Sequence, residues 1–342
     1  MSLKKEQRHE IKQFILLNLR QHPKDIVKVT QEKYNLSRAT VNKYMHELAG
    51  VKQLSITGSA TRREYSLEPI HTFTKTYSLV SQLEEDKVWR QDLQGLFVDL
   101  PRNVRDICHY GFTEMFNNAI DHSEGSEIIV DVTIWIDIID ITISDNGIGI
   151  FNKIQQKFNL DDPLHAILEL SKGKLTTDPS NHTGEGIFFT SRMFDSFLIV
   201  SGKINFGHTM DLVDILLEDE ENKKGTDIIM RISPFSDKTT ESIFNQFTDT
   251  DQNFDKTVVP VFLARYGDEN LVSRSQAKRL LARFEKFKTV VLDFDRLDSI
   301  GRAFADEIFR VFKNAHPEIV LDTSNASESI TKLIQEIQAS QS

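Results

Sequence analysis

At 342 residues the chain exceeds one ordinary domain, and a prior of about 150 residues each implies two or three. Its 39% hydrophobic and 9% aromatic residues can fill real cores, but no apolar run approaches the ~20 residues of a membrane span. The basic start MSLKKEQRHE lacks the apolar core of a secretion signal, and a single Cys108 excludes an intrachain disulfide and argues against zinc, so a reducing cytoplasm is expected.

The net charge of −10 is unevenly spread. Residues 1–67 carry 13 Lys and Arg against 6 Asp and Glu, a surplus of +7, whereas the remainder carries 28 against 45. A basic module on an acidic body invites an anionic partner for that module alone.

In chain order, residues 4–21 place Ile11, Phe14, Ile15, Leu17 and Leu19 at helical spacing, and His22-Pro23 ends the run. Asp25–Tyr34 reads as a second helix, NLSRAT as a turn with Ser37 as N-cap, and Arg38–Leu48 as a third helix. Two β-like runs around Thr57-Gly58-Ser59 suggest a hairpin. Three helices and a hairpin over residues 1–68 resemble a winged helix-turn-helix. That resemblance implies double-stranded DNA as partner, with Arg38, Thr40, Asn42 and Lys43 on the recognition helix and Arg62 and Arg63 on the hairpin. A winged helix that contacts protein instead is the alternative. Residues 69–98 are expected to be a helical connector.

The stretch TEMFNNAIDH, Thr113–His122, is unusual for a helix. Phe112, Met115, Phe116, Ala119 and Ile120 share an apolar face, while Glu114, Asn118 and His122 recur at i, i+4 and i+8 on another side. Asn is a poor helix former, because its amide competes for backbone hydrogen bonds, so two in mid-helix suggest a task beyond solvation. Further on, DITISDNGIGI ends a strand at Asp145-Asn146-Gly147; Asn-Gly could turn a hairpin, but the following IGIFNKIQQKF has helical spacing, which favours a strand-to-helix bend. The glycines match neither a dinucleotide fingerprint nor a Walker loop. Gly184-Glu185-Gly186 then opens an apolar helix after a polar loop, a geometry suited to phosphate. KKGTDIIMRI reads as a turn into a strand.

These four pieces, over roughly Asp99–Pro234, resemble the ATP-binding domain of the gyrase, histidine-kinase, chaperone and mismatch-repair (GHKL) superfamily. Glu114-x-x-x-Asn118 is similar to its N box, Asp145-x-Gly147-x-Gly149 and Gly184-x-Gly186 to its glycine boxes, and Gly225-Thr226 to its closing Gly-Thr element. The resemblance implies ATP and Mg²⁺ as cofactors, with the amide oxygen of Asn118 as metal ligand and Glu114 as general base toward water. It implies Asp145 as acceptor for the adenine amino group, with Gly147 and Gly149 beside the ring. Gly184, Gly186 and Thr226 would serve the nucleotide, Asn117 and Lys174 would offer further phosphate contacts, and Lys172–His182 would form a lid. His122 could touch ligand or make a structural hydrogen bond. A sensor histidine kinase is not expected, because His71 sits in a stretch without a helical heptad pattern and His109 lies too close to the ATP site.

Ser236–Thr257 is polar and acidic, a linker over 236–256 holding one short helix. Beyond it, strands such as TVVLDF alternate with helices such as FADEIFRVFKNA, which implies a small parallel α/β sheet over 257–342. VVLDFDRLDSIGRAFADEIF resembles STAS-like domains related to anti-sigma-factor antagonists, in which a Ser at this loop can be phosphorylated. Here the loop is Asp298-Ser299-Ile300-Gly301, so Ser299 is a candidate phosphoacceptor, with helix N-cap as its alternative role.

The expected whole is an α+β multidomain chain: winged helix at 1–68, an α/β-sandwich histidine-kinase-like ATPase fold at 99–235, and a STAS-like α/β domain that offers a regulatory protein a surface. The leading expectation is an ATP-responsive DNA-binding transcriptional regulator with weak ATPase activity. A serine/threonine protein kinase of the anti-sigma type and an ATP-stabilised interaction adaptor are the alternatives.

Overall fold

Helices α1 (Lys5–Asn18), α2 (Ile26–Tyr34) and α3 (Arg38–Gly50) open the computed structural model, which describes residues 5–59, 62–80, 83–160, 162–175, 184–209, 215–265 and 269–340. Ile11, Ile15, Leu19, Ile26, Val41 and Met45 point inward and form a core of their own. Asn35 leaves α2 in the left-handed conformation, and the Ser37 hydroxyl accepts from the Thr40 N–H at 3.1 Å, the expected cap of α3. Strands β1 (Leu54–Ser59) and β2 (Arg62–Leu67) pair antiparallel and lay Leu54 and Tyr65 on that core. The module meets the next domain where Arg20 pairs with Asp137 at 2.7 Å and covers the Trp135 ring.

The expected helical connector opens instead with a strand, β3 (His71–Ser78). Its alternation of Thr with Phe73 and Tyr77 suits a pleated edge, and Tyr77 is buried against Phe116. Only Glu85–Phe97 is helical: α4 (Glu85–Val88) runs on into a π turn and a 3-10 turn. Next come α5 (Arg102–His122), β4 (Glu127–Ile134), β5 (Ile139–Asp145), α6 (Ile150–Phe158), α7 (Pro163–Lys172), α8 (Gly186–Met193), β6 (Ser196–His208) and β7 (Ile215–Ile232). The five strands lie in the order β3-β4-β5-β7-β6, every neighbour antiparallel. Ile128, Val130, Val132 and Ile134 of β4 and Ile139, Ile141 and Ile143 of β5 all face the helices, while their alternates are partly exposed. α5 lies over β5 and β7 and packs on α8.

The Gly225-Thr226 pair does not turn the chain. It lies inside β7, where the pairing with β6 slips between Ser201 and Ile204 and Gly225 takes φ +75°. An L side chain would be strained there, and a Cβ would collide with the Asp145 carbonyl. α7 occupies a stretch to which the sequence pattern assigns no element.

The segment expected as a linker is packed rather than free. It carries α9 (Thr240–Phe247), and Phe247 and Phe254 are buried among Phe188 and Phe189 of α8. The C-terminal domain follows with β8 (Lys256–Pro260), α10 (Arg274–Leu281), β9 (Thr289–Asp293), α11 (Arg302–Asp306), a π segment leading into α12 (Lys313–Ala315), β10 (Val320–Ser324) and α13 (Glu328–Ala339). Its three strands run in the order β10-β9-β8, all parallel, as the alternation of strand and helix predicts. The chain is thus mixed α+β, with three sheets among the described residues. No helix among them is long and apolar enough to cross a membrane.

Candidate functional site

The polar stripe of α5 faces a cavity. Glu114, Asn118 and His122 line it together with Asp145 from the end of β5, Gly184 and Gly186 at the start of α8, and Thr226 on β7. The cavity holds about 1040 Å³ of empty space, its open mouth included. Ile143, Ile150, Ile154, Leu170, Ile187 and Ile228 supply apolar walls between the polar groups, the mixture expected of a small-molecule site.

The backbones converge tightly here. Gly186 opens α8 so close to Glu114 that a Cβ would overlap the carboxylate, so any larger residue would push that side chain aside. The Asp145 carboxylate accepts from the Gly147 N–H at 2.8 Å, and the Thr226 hydroxyl accepts from the Ile150 N–H at 3.0 Å, tying β7 to the start of α6. Burial raises the Asp145 carboxyl above the usual carboxylate range; hydrogen bonds from Gly147 and Thr226 pull it partly back, and Asp227 pushes it up again. Gly149 N-caps α6 at φ +85°, which makes the strand-to-helix bend, and not the hairpin, the observed geometry.

Other sequence-derived residues fall elsewhere. Gly147 and Gly149 shape the floor behind Asp145, but neither they nor Asn117 line the cavity. Lys174 turns away from it: its ammonium donates to the Lys286 carbonyl at 2.9 Å and lies over the Phe254 and Phe287 rings. Of the expected lid, Lys172 ends α7 and is fully buried, whereas 176–183 lie outside the described residues. Lys153 was missed. It lines the cavity, donates to the His122 carbonyl at 2.7 Å and pairs with Glu124 at 3.0 Å. Its spacing of i+3 from Ile150 puts both on one helical face, a signal present in the sequence.

At the N-terminal module Arg38, Asn42, Arg62 and Arg63 meet in a cleft between α3 and the hairpin, joined by Lys24, which sequence reasoning missed. Lys24 pairs with Glu64 at 2.8 Å. Thr40 does not line this cleft; its hydroxyl shares a 2.9 Å bond with Ser37 at the cap. Lys43 is exposed one turn on, 4.0 Å from Glu47.

In the C-terminal domain Ser299 is exposed on the loop after β9 and does not cap a helix. Gly301 is the N-cap of α11, because the chain passes so close to Val272 that a side chain would collide there. The Asp298 carbonyl beside Ser299 accepts from the Ser327 and Ser329 hydroxyls, at 2.8 Å each.

Residues 276–331 match a family model described as a STAS-like domain of unknown function (DUF4325). The match runs from α10 into α13, inside the α/β unit expected over 257–342. No curated protein matches the chain.

Because Asp145 is more costly to ionise in the fold than in the unfolded chain, its charge weakens the ligand-free protein once the pH exceeds the unfolded value. Asp145→Asn is therefore expected to keep or raise the melting temperature at neutral pH and to flatten its rise on acidification. A scan showing the variant markedly less stable at pH 7 would contradict this.

Proposed function

We propose that the cavity binds an adenine nucleotide with Mg²⁺ and that the protein is an ATP-responsive, DNA-binding transcriptional regulator with weak ATPase activity. One observation carries the nucleotide reading: four stretches spread from Glu114 to Thr226 send their polar residues into a single cavity. The donor set fits the ligand. Asp145 offers a carboxylate at a buried floor, Asn118 a neutral amide oxygen suited to a hard cation, and the start of α8 a helix N-terminus suited to phosphate. Bound Mg²⁺ would neutralise phosphate charge and polarise the terminal phosphoryl group. Glu114, one turn before Asn118 on the same face, would hold the attacking water and take its proton.

The basic cleft of Arg38, Asn42, Arg62 and Arg63 supports the DNA reading, because it concentrates the module's positive charge between a helix and a hairpin. A second reading, phosphotransfer to a protein hydroxyl, draws support from Ser299, which is exposed and not engaged as a cap. The family match names no activity and favours neither.

Glu114→Gln is expected to retain nucleotide while phosphate release falls by at least about 100-fold, the usual contribution of a positioned general base. Undiminished release would remove Glu114 from this role. Incubation with γ-labelled ATP separates the two readings: label freed as phosphate favours the regulator, whereas label on the protein, lost in Ser299→Ala, favours the kinase. Arg38→Glu combined with Arg63→Glu should abolish a salt-sensitive shift of duplex DNA; persistence of that shift would remove the cleft from DNA binding.

A further inference from the structure

Helix α7 belongs to two domains at once. Ala166, Ile167 and Leu168 are fully buried, and the polar His165, Glu169 and Lys172 are buried with them, so none of the described side chains from 165 to 172 is exposed. Toward the central domain, Leu170 forms part of the nucleotide cavity wall. Toward the C-terminal domain, α7 packs on β8 and the turn that follows it.

The join is made of ions and caps. The Lys172 ammonium has three N–H donors, and three acceptors meet them: Glu169 at 2.7 Å, the Ala282 carbonyl at 2.9 Å and the Arg279 carbonyl at 3.2 Å. Those carbonyls end α10, where a helix leaves acceptors unpaired and favours positive charge. The second oxygen of Glu169 pairs with Arg283, which sits at φ +66° just past α10. Burial nevertheless lowers the Lys172 ammonium to about 8, with Glu169 opposing that shift. The capping is reciprocal, for the buried Thr257 hydroxyl on β8 donates to the Lys172 carbonyl at 2.7 Å.

The next three residues continue the attachment. Gly173, at φ +77°, passes so close to Phe254 that a Cβ would stand 2.8 Å from the ring. Lys174 is bonded to Lys286, as described above. Leu175 then returns to line the nucleotide cavity. Residues 169–174 are therefore fastened to the C-terminal side at successive points, and Leu170 and Leu175 belong to the cavity wall.

We infer that the C-terminal domain is a built-in effector of the nucleotide cavity: through α7 and residues 172–175 it holds the wall in its binding form, and nucleotide in turn steadies α10 and β8. A buried ion network contributes little net stability for its desolvation cost, so what it supplies here is one fixed geometry between two domains. Coupling of this kind is reciprocal. A partner that loosens α10 would lower nucleotide affinity, and bound nucleotide would oppose that partner.

This inference rests on the nucleotide reading above, and two measurements on the full chain keep their failures apart. In hydrogen exchange with ADP and Mg²⁺, amides over 254–260 and 274–288 should slow along with those of the cavity segments. In a titration with the same nucleotide, Thr257→Val, which removes one cap and lies outside the cavity lining, should bind about fivefold more weakly, the low end of coupling between linked sites. Exchange that slows only in cavity segments, or unchanged affinity in the folded variant, overturns the coupling. Failure of the wild type to bind nucleotide overturns the reading beneath it, and the coupling with it.

Discussion

The cavity is framed by the packing of α8 on α5, which brings the first turn of α8 against the Glu114 carboxylate. Gly186 leaves room for the half-buried Glu114 carboxylate to lie against that turn, where a Cβ would displace it. The approach fixes α8 on α5, and α8 in turn carries Phe188 and Phe189 into the aromatic cluster that receives Phe247 and Phe254. The polar site and the packing of the C-terminal segment thus share one helix.

The energetics divide by region. The N-terminal module has its own apolar core and meets the rest through Ile136, which packs on that core, and through Arg20 with Asp137 and Trp135, an ion pair of small worth. The central and C-terminal domains share one continuous core and a buried network of Glu169, Lys172 and Arg283. The proposed regulator would use this asymmetry, with a loosely attached N-terminal module on a body whose two halves share a core.

The legibility of the sequence follows the range of the interactions. The stripe of Glu114, Asn118 and His122 is readable because a period of 3.6 aligns it within one helix, and the parallel C-terminal sheet is readable because its strands and helices alternate. α7 was illegible for the opposite reason. Its polar stripe of His165, Glu169 and Lys172 looks like a solvated face, yet it is buried, and its ions find partners more than a hundred residues away, at Arg279, Ala282 and Arg283. β3 was hidden by its Thr and Lys content, since an edge strand needs only Phe73 and Tyr77 to dock. Gly225 misled in another way, because a glycine after two lysines has the local signature of a turn, and only the pairing of β7 with β6 makes it a bulge. Lys174 faced the wrong partner because a basic residue near a glycine box looks the same whether it turns to phosphate or to the Lys286 carbonyl.

The account stands on nucleotide occupying the space between α5 and α8. Calorimetric titration of ATP and of ADP, each with Mg²⁺, into the purified full chain tests it most directly. A nucleotide site there should give saturable heat with one nucleotide per chain, weakened when Mg²⁺ is withheld. Absence of heat from either nucleotide up to millimolar concentration would contradict it.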